Sequence, residues 1–296
     1  MSKVKITLVV FISFLSLAVS ARSKMKVSYY DGMLRKGFHM GVTGSFNSSW
    51  ILNQNNYNTL DLFYVPIVRQ SEMDYVFTWG GNIGVNLGYN FHKKWGIEFE
   101  PSFSWAGQKY DDDFSGPVAA KYDPTTKTFV DDVVKDPNGY YFRNDYSYVN
   151  VRREVKFRYI DFPIFAKFQT HIGDVANYHI MLGPQVNYRT FASEYVTVNH
   201  HEYSATDDQG NRYSPDEKFK KLDIGLALKT GVDVYPKEWM YFDIGISSFI
   251  ALNDLNGSTL KDLQWYSKND VDYQKSRNFY LGIHLGMHFF IGRTTP

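Results

Sequence analysis

The chain has 296 residues and a formal net charge of +1. A nearly neutral chain has neither the basic footprint of a nucleic-acid-binding protein nor a strongly acidic tail. It contains no cysteine, which excludes disulfides, cysteine–zinc sites, cysteine nucleophiles and a lipidated cysteine. Aromatic residues make up 18% of the chain, a share that suits pleated strands and membrane interfaces.

The first residues have the pattern of a secretory signal peptide. An apolar run from Ile6 to about Val19 follows two lysines and ends at small residues that include Ala21. We predict a signal peptide at 1–21, cleaved after about Ala21. A membrane-anchoring helix is the less favoured alternative, because the run is shorter than the ~20 residues that a span needs.

The rest of the chain contains eight segments in which apolar residues alternate with polar or small ones. In chain order these segments cover 38–50, 75–91, 95–105, 159–168, 178–189, 222–234, 240–250 and 278–291. Alternation with a period of two is typical of a strand with two different faces, and helical spacing fits none of these stretches. The segments are mostly about 10 to 14 residues long, which suits the ~9–11 residues of a tilted bilayer crossing.

The second segment shows the alternation most clearly. Ile83, Val85 and Leu87 share one face, and Asn82 and Asn86 share the other. Aromatic residues concentrate near the ends of the segments, where interfacial belts are expected. We place one belt near the short turns at Tyr89, Phe91, Trp95, Tyr235 and Trp239, and the other near the long loops at Trp50, Tyr75, Phe77, Trp79 and Trp105.

The connections alternate between short and long. The short ones are 92–94, 169–177 and 235–238, and the long polar ones are roughly 51–74, 109–153, 192–220 and 253–276. Periplasmic turns and extracellular loops of outer-membrane barrels alternate in this way. We therefore predict an all-β fold, a single transmembrane antiparallel up-and-down β-barrel of about eight strands with long extracellular loops.

This prediction divides the mature chain into three parts and places both chain termini in the periplasm. An N-terminal periplasmic segment occupies 22–36, the outer-membrane barrel domain occupies 37–292, and a periplasmic C-terminal tail occupies 293–296. The predicted localisation is the outer membrane.

The polar strand face is rich in glycine and carboxylates and poor in lysine, which suits a packed interior better than a water-facing surface. A soluble lipocalin-like barrel, with its apolar face inward, is the alternative. An eight-stranded barrel is only wide enough for side chains to fill. We predict a lumen charge network of Glu98, Glu100, Asp161, Lys167, Arg189, Asp223, Lys229, Asp233 and Asp243, with His39, His179, His284 and His288 as further candidates.

Several ordered motifs resemble one family. The strand 159–168 (Tyr-Ile-Asp-Phe-Pro-Ile-Phe-Ala-Lys-Phe) resembles the Tyr-Leu-Glu-Ile-Pro-Leu-Leu-Leu-Lys-Tyr strand of PorT-type outer-membrane β-barrel proteins. The stretch 182–186 resembles that family's Gly-Pro-x-x strand, and 223–226 is similar to its Asp-x-Gly-Leu segment. Gly107-Gln108-Lys109-Tyr110 also resembles the family.

The resemblance spans roughly 37–291 and implies an outer-membrane barrel. In some members it also implies work in a secretion and gliding apparatus. The loop 109–153 is long for the secretion-linked member, so that role does not transfer directly.

No catalytic, metal or cofactor-binding residue is predicted. Asn199-His200-His201-Glu202 has ligand chemistry, but adjacent histidines on an extended chain point apart. Asp111-Asp112-Asp113 and 207–211 lack the spacing of a calcium loop, and no ordered nucleophile motif is present.

A loop contact surface is predicted at the aromatic residues of the second long connection. Its members are Tyr140, Tyr141, Phe142, Arg143, Tyr146 and Tyr148. Rigid aromatics beside arginine make good contact surfaces for proteins or glycans. The alternative is that this segment continues the strands beyond the membrane as a hairpin.

The leading hypothesis is a non-enzymatic barrel whose extracellular loops bind a partner or serve a secretion or surface apparatus. The alternatives are a small-solute porin, with extra strands from 109–153, and an outer-membrane lipid-modifying enzyme. The expected partners are outer-membrane lipid and, as candidates, other envelope or secretion-apparatus proteins. No nucleic acid and no cofactor are expected.

Overall fold

The computed structural model describes most of the predicted barrel. The described residues are 36–53, 74–117, 121–123, 128–130, 134–135, 141–142, 146–172, 176–198, 201–203, 215–237, 239–257 and 275–291. The predicted signal peptide and C-terminal tail lie outside these residues, as does the predicted N-terminal segment apart from Lys36. Among the described residues, no helix has the length and apolar character needed to cross a membrane.

The described ranges form fifteen strands and one short helix. The strands are β1 Gly37–Leu52, β2 Asp74–Val76, β3 Trp79–Asn90, β4 Trp95–Phe99, β5 Ser102–Pro117, β6 Lys121–Asp123, β7 Thr128–Val130, β8 Val134–Lys135, β9 Tyr141–Phe142, β10 Tyr146–Ile172, β11 Ala176–Val198, β12 His201–Tyr203, β13 Leu222–Lys237, β14 Met240–Ala251 and β15 Arg277–Ile291. The helix α1, Pro215–Lys218, lies between β12 and β13.

Within the described part of the chain, eight barrel strands close a ring. In order they are β1, β3, β4 continued by β5, β10, β11, β13, β14 and β15. Each is antiparallel to its neighbours, and the ring closes where Trp50 of β1 pairs with Phe279 of β15. The predicted eight-stranded antiparallel barrel is therefore confirmed. We call the rim with turns such as His92–Lys94 the short-turn end, and the opposite rim the long-loop end.

The outer surface carries a broad apolar band. Leu182 is 54% exposed at mid-height, and its neighbours on adjacent strands include Leu228 and Ala166. Exposed aromatics border the band, at Tyr89, Phe91, Trp95 and Trp239 on the short-turn side and at Phe77, Trp79 and Trp105 on the long-loop side. Tyr235 was wrongly placed in this belt, since it shares the strand face of Asp233 and is buried inside.

The apolar band predicts a steep penalty for a charge at its centre. We expect Leu182→Arg to lower the free energy of unfolding by about 2–4 kcal/mol in lipid vesicles, because a charge at mid-membrane is poorly solvated. Leu252→Arg is the matched control, because Leu252 has 55% exposure but lies at the long-loop rim, where the cost is about 0–1 kcal/mol. Equal urea-unfolding curves for the two variants would contradict a lipid-facing band.

Three barrel strands, β5, β10 and β11, extend well beyond the band. β10 has 27 residues and β11 has 23, so the predicted length of about 10–14 residues is wrong for both. β5 and β10 stay paired as far as Pro117 opposite Tyr146, so a large part of the predicted loop 109–153 is strand. At about 3.3 Å per residue, the stretch of β5 after Trp105 is on the order of 40 Å long.

The alternation inverts on this extension. Val155 and Phe157 point inward and are buried, while Arg152 and Lys156 point outward. Water rather than an apolar medium surrounds the outer face here, so the hydrophobic effect drives apolar side chains inward. The sequence pattern of outward apolar residues therefore begins only at Tyr159, and the earlier part of β10 is not recognised as strand.

Candidate functional site

All nine residues of the predicted lumen network point into the barrel and are buried. They are Glu98, Glu100, Asp161, Lys167, Arg189, Asp223, Lys229, Asp233 and Asp243. Strand alternation puts each on the inner face, and glycines on neighbouring strands make room for the larger rings. A side chain at Gly88 would overlap the imidazole of His39, and one at Gly245 would collide with that of His284.

Lys167 lies between two carboxylates at the short-turn end of the lumen. Its Nζ atom is 2.8 Å from Glu98 Oε1 and 3.1 Å from Asp233 Oδ2. His39 Nε2 lies 3.3 Å from the same Glu98 oxygen. A buried ammonium that bridges two carboxylates offsets part of the desolvation cost of all three groups.

A second group links neighbouring strands through Asn86. Its amide nitrogen donates to Glu98 Oε2 at 2.5 Å and to Glu100 Oε1 at 3.2 Å. Glu100 also accepts a hydrogen bond from Lys229 on the opposite wall. Asn86 was not among the predicted network residues, although its position on the polar face of the second segment carried the signal.

Four buried histidines, His39 among them, lie toward the short-turn end of the lumen. The other three, His179, His284 and His288, surround Asp243. His284 Nε2 is 3.0 Å from Asp243 Oδ1 and His179 Nε2 is 3.5 Å from the same oxygen. His288 Nε2 is 3.9 Å from Asp243 Oδ2. The carboxylate therefore has imidazole nitrogens on both oxygens.

The remaining predicted residues lie nearer the long-loop end. Asn278 donates hydrogen bonds to Asp223 at 2.6 Å and to the Tyr159 hydroxyl at 2.8 Å. Ser102 contacts Asp161 at 3.5 Å. A cavity of about 10 Å³ adjoins Asp161, which is room for about one water molecule.

Apolar side chains from two connections close the long-loop end. Phe219, just after α1, and Leu255, after β14, pack against Ile51, Val155 and Phe157 of the wall. We call Phe219 and Leu255 with their backbone links the mouth plug. The links include Lys220 N–H to Leu255 O at 2.8 Å and Gly257 N–H to Lys218 O at 2.6 Å.

Arginine side chains hold the mouth plug to the wall. Arg189, one of the predicted network residues, donates to the carbonyl oxygens of Phe219 at 2.7 Å and Lys220 at 3.1 Å. Its role in the structure thus includes fixing the plug backbone, which the sequence did not indicate.

A buried ion triad lies beside the plug, beyond the apolar band. Glu194 accepts from Arg153 Nη2 at 2.6 Å and from Lys218 of α1. Burial alone would raise the pKa of the Glu194 carboxyl, but the adjacent Arg153 and Lys218 lower it to about 2. This triad was missed from the sequence because both Arg153 and Glu194 fell in predicted loops.

The predicted loop contact surface is only partly covered by the structure. Tyr140 and Arg143 lie outside the described residues. Tyr141 and Phe142 form β9, while Tyr146 and Tyr148 belong to β10, opposite Pro117 and Ser115 of β5. The hairpin continuation is therefore confirmed for β5 and β10.

Known proteins identify the class of barrel. A family model described as an outer membrane protein β-barrel domain matches residues 20–257. The chain belongs to this family. It is an outer-membrane β-barrel protein, with its apolar band at the level of the membrane.

Two solved barrels resemble this chain at low sequence identity. Neisserial surface protein A is 10% identical, with 86% of this chain and 97% of that chain covered and a TM-score of 0.36. OprG from Pseudomonas aeruginosa is 12% identical, with 87% and 98% covered and a TM-score of 0.34. No curated protein sequence matches this chain.

Proposed function

We propose that this protein is a non-enzymatic membrane mount that presents its long-loop end outside the cell to a protein partner. The observation that carries the proposal is the contrast between a filled interior and an extended rim. Buried ion pairs and hydrogen bonds occupy the lumen, and the mouth plug covers it. β5, β10 and β11 continue far past the band.

The orientation follows from the lengths of the connections. In outer-membrane barrels the short turns are periplasmic and the long loops extracellular. On that basis both chain termini are periplasmic, and the signal peptide directs export. The resemblance to PorT-type proteins makes a component of a secretion or surface apparatus the first partner class to test.

The absence of cysteine from the chain makes this proposal easy to test. We expect a single cysteine at Tyr148 to react with a membrane-impermeant maleimide on intact cells, and one at Lys93 to react only after lysis. A photo-crosslinker at Tyr148 should give a discrete adduct with an envelope protein, and one at the lipid-facing Leu182 should not give it.

Replacing 118–145 by a short turn keeps β5 and β10 paired and serves as the loop-deletion variant. Loss of the adduct in that variant shows that residues 118–145 are needed for the contact, whereas an unchanged adduct limits the contact to the paired β5–β10 extension. No adduct at Tyr148 in the unaltered chain would contradict the proposal. Stable single-channel openings in planar bilayers would favour the porin alternative instead, and the filled lumen predicts that none will be seen.

A further inference from the structure

Three imidazole nitrogens face the single carboxylate of Asp243. His179, His284 and His288 are all at most 1% exposed, and each directs Nε2 toward Asp243 at the distances given above. Whether each nitrogen carries a proton is decided by what contacts the other nitrogen of the same ring.

For His179 a carboxylate lies beside the outer ring nitrogen, Nδ1. Asp233 Oδ1 lies 3.0 Å from that nitrogen, and the other oxygen of Asp233 contacts Lys167. A carboxylate behind an imidazole fixes its tautomer in this way in metal sites. In the neutral tautomer with its proton on Nδ1, the ring presents the lone pair of Nε2 to Asp243 Oδ1, 3.5 Å away.

For His288 the position of the ring proton is set by Asn86. The amide nitrogen of Asn86 is committed to Glu98 and Glu100, so its oxygen is an acceptor. His288 Nδ1 lies 3.1 Å from that oxygen and therefore carries the proton. His288 Nε2 is buried without a hydrogen-bond partner and faces Asp243 Oδ2 as a second lone pair.

A metal cation at Asp243 can accept an imidazole lone pair, whereas the carboxylate alone cannot. We propose that His179, Asp243 and His284 bind one zinc-like divalent transition metal ion in the barrel lumen. One ligand atom from each lies within 4.8 Å of the others. The contacts of 3.0 and 3.5 Å to Asp243 Oδ1 bracket the separation of about 3.3 Å between ligands that each bind tetrahedral zinc at about 2.0–2.1 Å.

The charge of the lumen supports a dication. Near the proposed site, the buried carboxylates Glu98, Asp233 and Asp243 face one buried ammonium, that of Lys167, an excess of two negative charges when the carboxylates are ionised and the histidines are neutral. Buried charge is costly unless it is compensated. One dication offsets that excess, and imidazole with carboxylate is a suitable ligand set for zinc.

A neighbouring cluster provides an internal control. His39, Glu98 and His288 also offer ligand atoms within 4.8 Å of one another. There the ammonium of Lys167 already lies 2.8 Å from Glu98 Oε1. This position is already occupied by a cation, so we assign the metal to the Asp243 cluster alone.

Aromatic rings close the site toward the short-turn end. Tyr241 stacks on His288 with ring centroids 4.4 Å apart, and Tyr235 stacks on Tyr241 at 5.1 Å. With the mouth plug at the other end, the ion has to enter as the barrel folds. The site is therefore structural, and metal binding contributes to the stability of the folded barrel.

The first test uses the full chain purified from outer membranes in detergent. We expect elemental analysis to find about one zinc ion per chain from zinc-supplemented cells. After unfolding in urea with a chelator, refolding with Co²⁺ should give the visible absorption band of a tetrahedral site, and refolding with Zn²⁺ should raise the melting temperature. Sub-stoichiometric metal together with no Co²⁺ band would overturn the proposal.

The matched variants are His284→Gln and His39→Gln. We expect His284→Gln to bind the metal at least about tenfold more weakly and His39→Gln to retain it. Mobility on unboiled gels shows whether each variant is folded. Equal metal retention by the two folded variants would overturn the assignment, and if His284→Gln does not fold, the Co²⁺ spectrum of the unaltered chain decides.

Discussion

Replacing Lys167 by methionine is expected to lower the free energy of unfolding of the barrel by about 3–5 kcal/mol. Lys167 Nζ contacts Glu98 and Asp233 in a region where all three side chains are at most 2% exposed. The methionine side chain fills similar space but leaves two carboxylates together without the ammonium. The cost arises from the unpaired buried charges rather than from lost packing.

Urea unfolding in lipid vesicles measures this effect, and the outer wall supplies a matched control. Lys109 also pairs with a glutamate, Glu154, at 3.1 Å, but the two side chains are 49% and 28% exposed. Lys109→Met should therefore cost less than about 1 kcal/mol. Adding Glu98→Gln to Lys167→Met should recover part of the lost stability. Equal losses of stability in the two lysine variants would contradict a larger contribution from the buried Lys167 contacts.

The fold was predictable because lipid and a narrow lumen impose opposite demands on alternate residues. Leu182 faces outward and its strand neighbour Met181 inward, and the same rule held for Asp161 beside Ile160. Eight such segments with alternating short and long connections left few topologies to consider. The inward position of the nine charged residues follows from the same parity.

The pairing of those charges was not predictable. Lys229 and Glu100 are 129 residues apart, and their contact depends on the stagger between strands around the whole ring. A single sequence gives the face of each strand, but not the height at which residues of opposite walls meet. The tautomers of the histidines depend on these contacts and could not be predicted from the sequence either.

The mouth plug could not be predicted from the sequence for a different reason. Phe219 and Leu255 each stand among polar neighbours in their connections, so no periodicity marks them. Their burial depends on the inward-facing Val155 and Phe157, which lie on the part of β10 where the alternation has inverted. Once β10 is known to extend, a buried apolar layer above the polar lumen is the expected consequence.

The second large effect concerns the fastening of this plug. Glu194→Gln should release it, because the buried Arg153 and Lys218 then lose the carboxylate that they share. Breaking a buried pair in this way costs about 3–5 kcal/mol. Arg153 and Glu194 lie on β10 and β11, and Lys218 belongs to the short helix that precedes Phe219, so the change weakens the attachment of the plug to the wall.

Limited trypsin digestion measures the release, since Lys220 and Lys221 follow the plug residue in sequence. If cleavage samples the open population, the rate should rise at least about 100-fold, because each 1.4 kcal/mol is a factor of ten. Glu154→Gln is the control, as its pairs with Lys109 and Lys156 are partly exposed and it should leave the rate nearly unchanged. Equal digestion of the two variants would show that the triad does not hold the plug.

The same carboxylate predicts how acid affects the plug. The pKa of Glu194 is lowered from 4.5 to about 2 in the folded chain, so the ionised form is favoured by folding. The triad therefore stabilises the closed plug fully above pH 4.5, and this contribution is lost as the pH falls from there toward 2.

Pepsin digestion between pH 4.5 and pH 2 should show the plug of the unaltered protein loosening as the pH falls. Glu194→Gln has no carboxylate to protonate at this position, so its plug should already be digested faster at pH 4.5 and should gain little further sensitivity on acidification. A parallel acid response in both proteins would assign the loosening to groups other than Glu194.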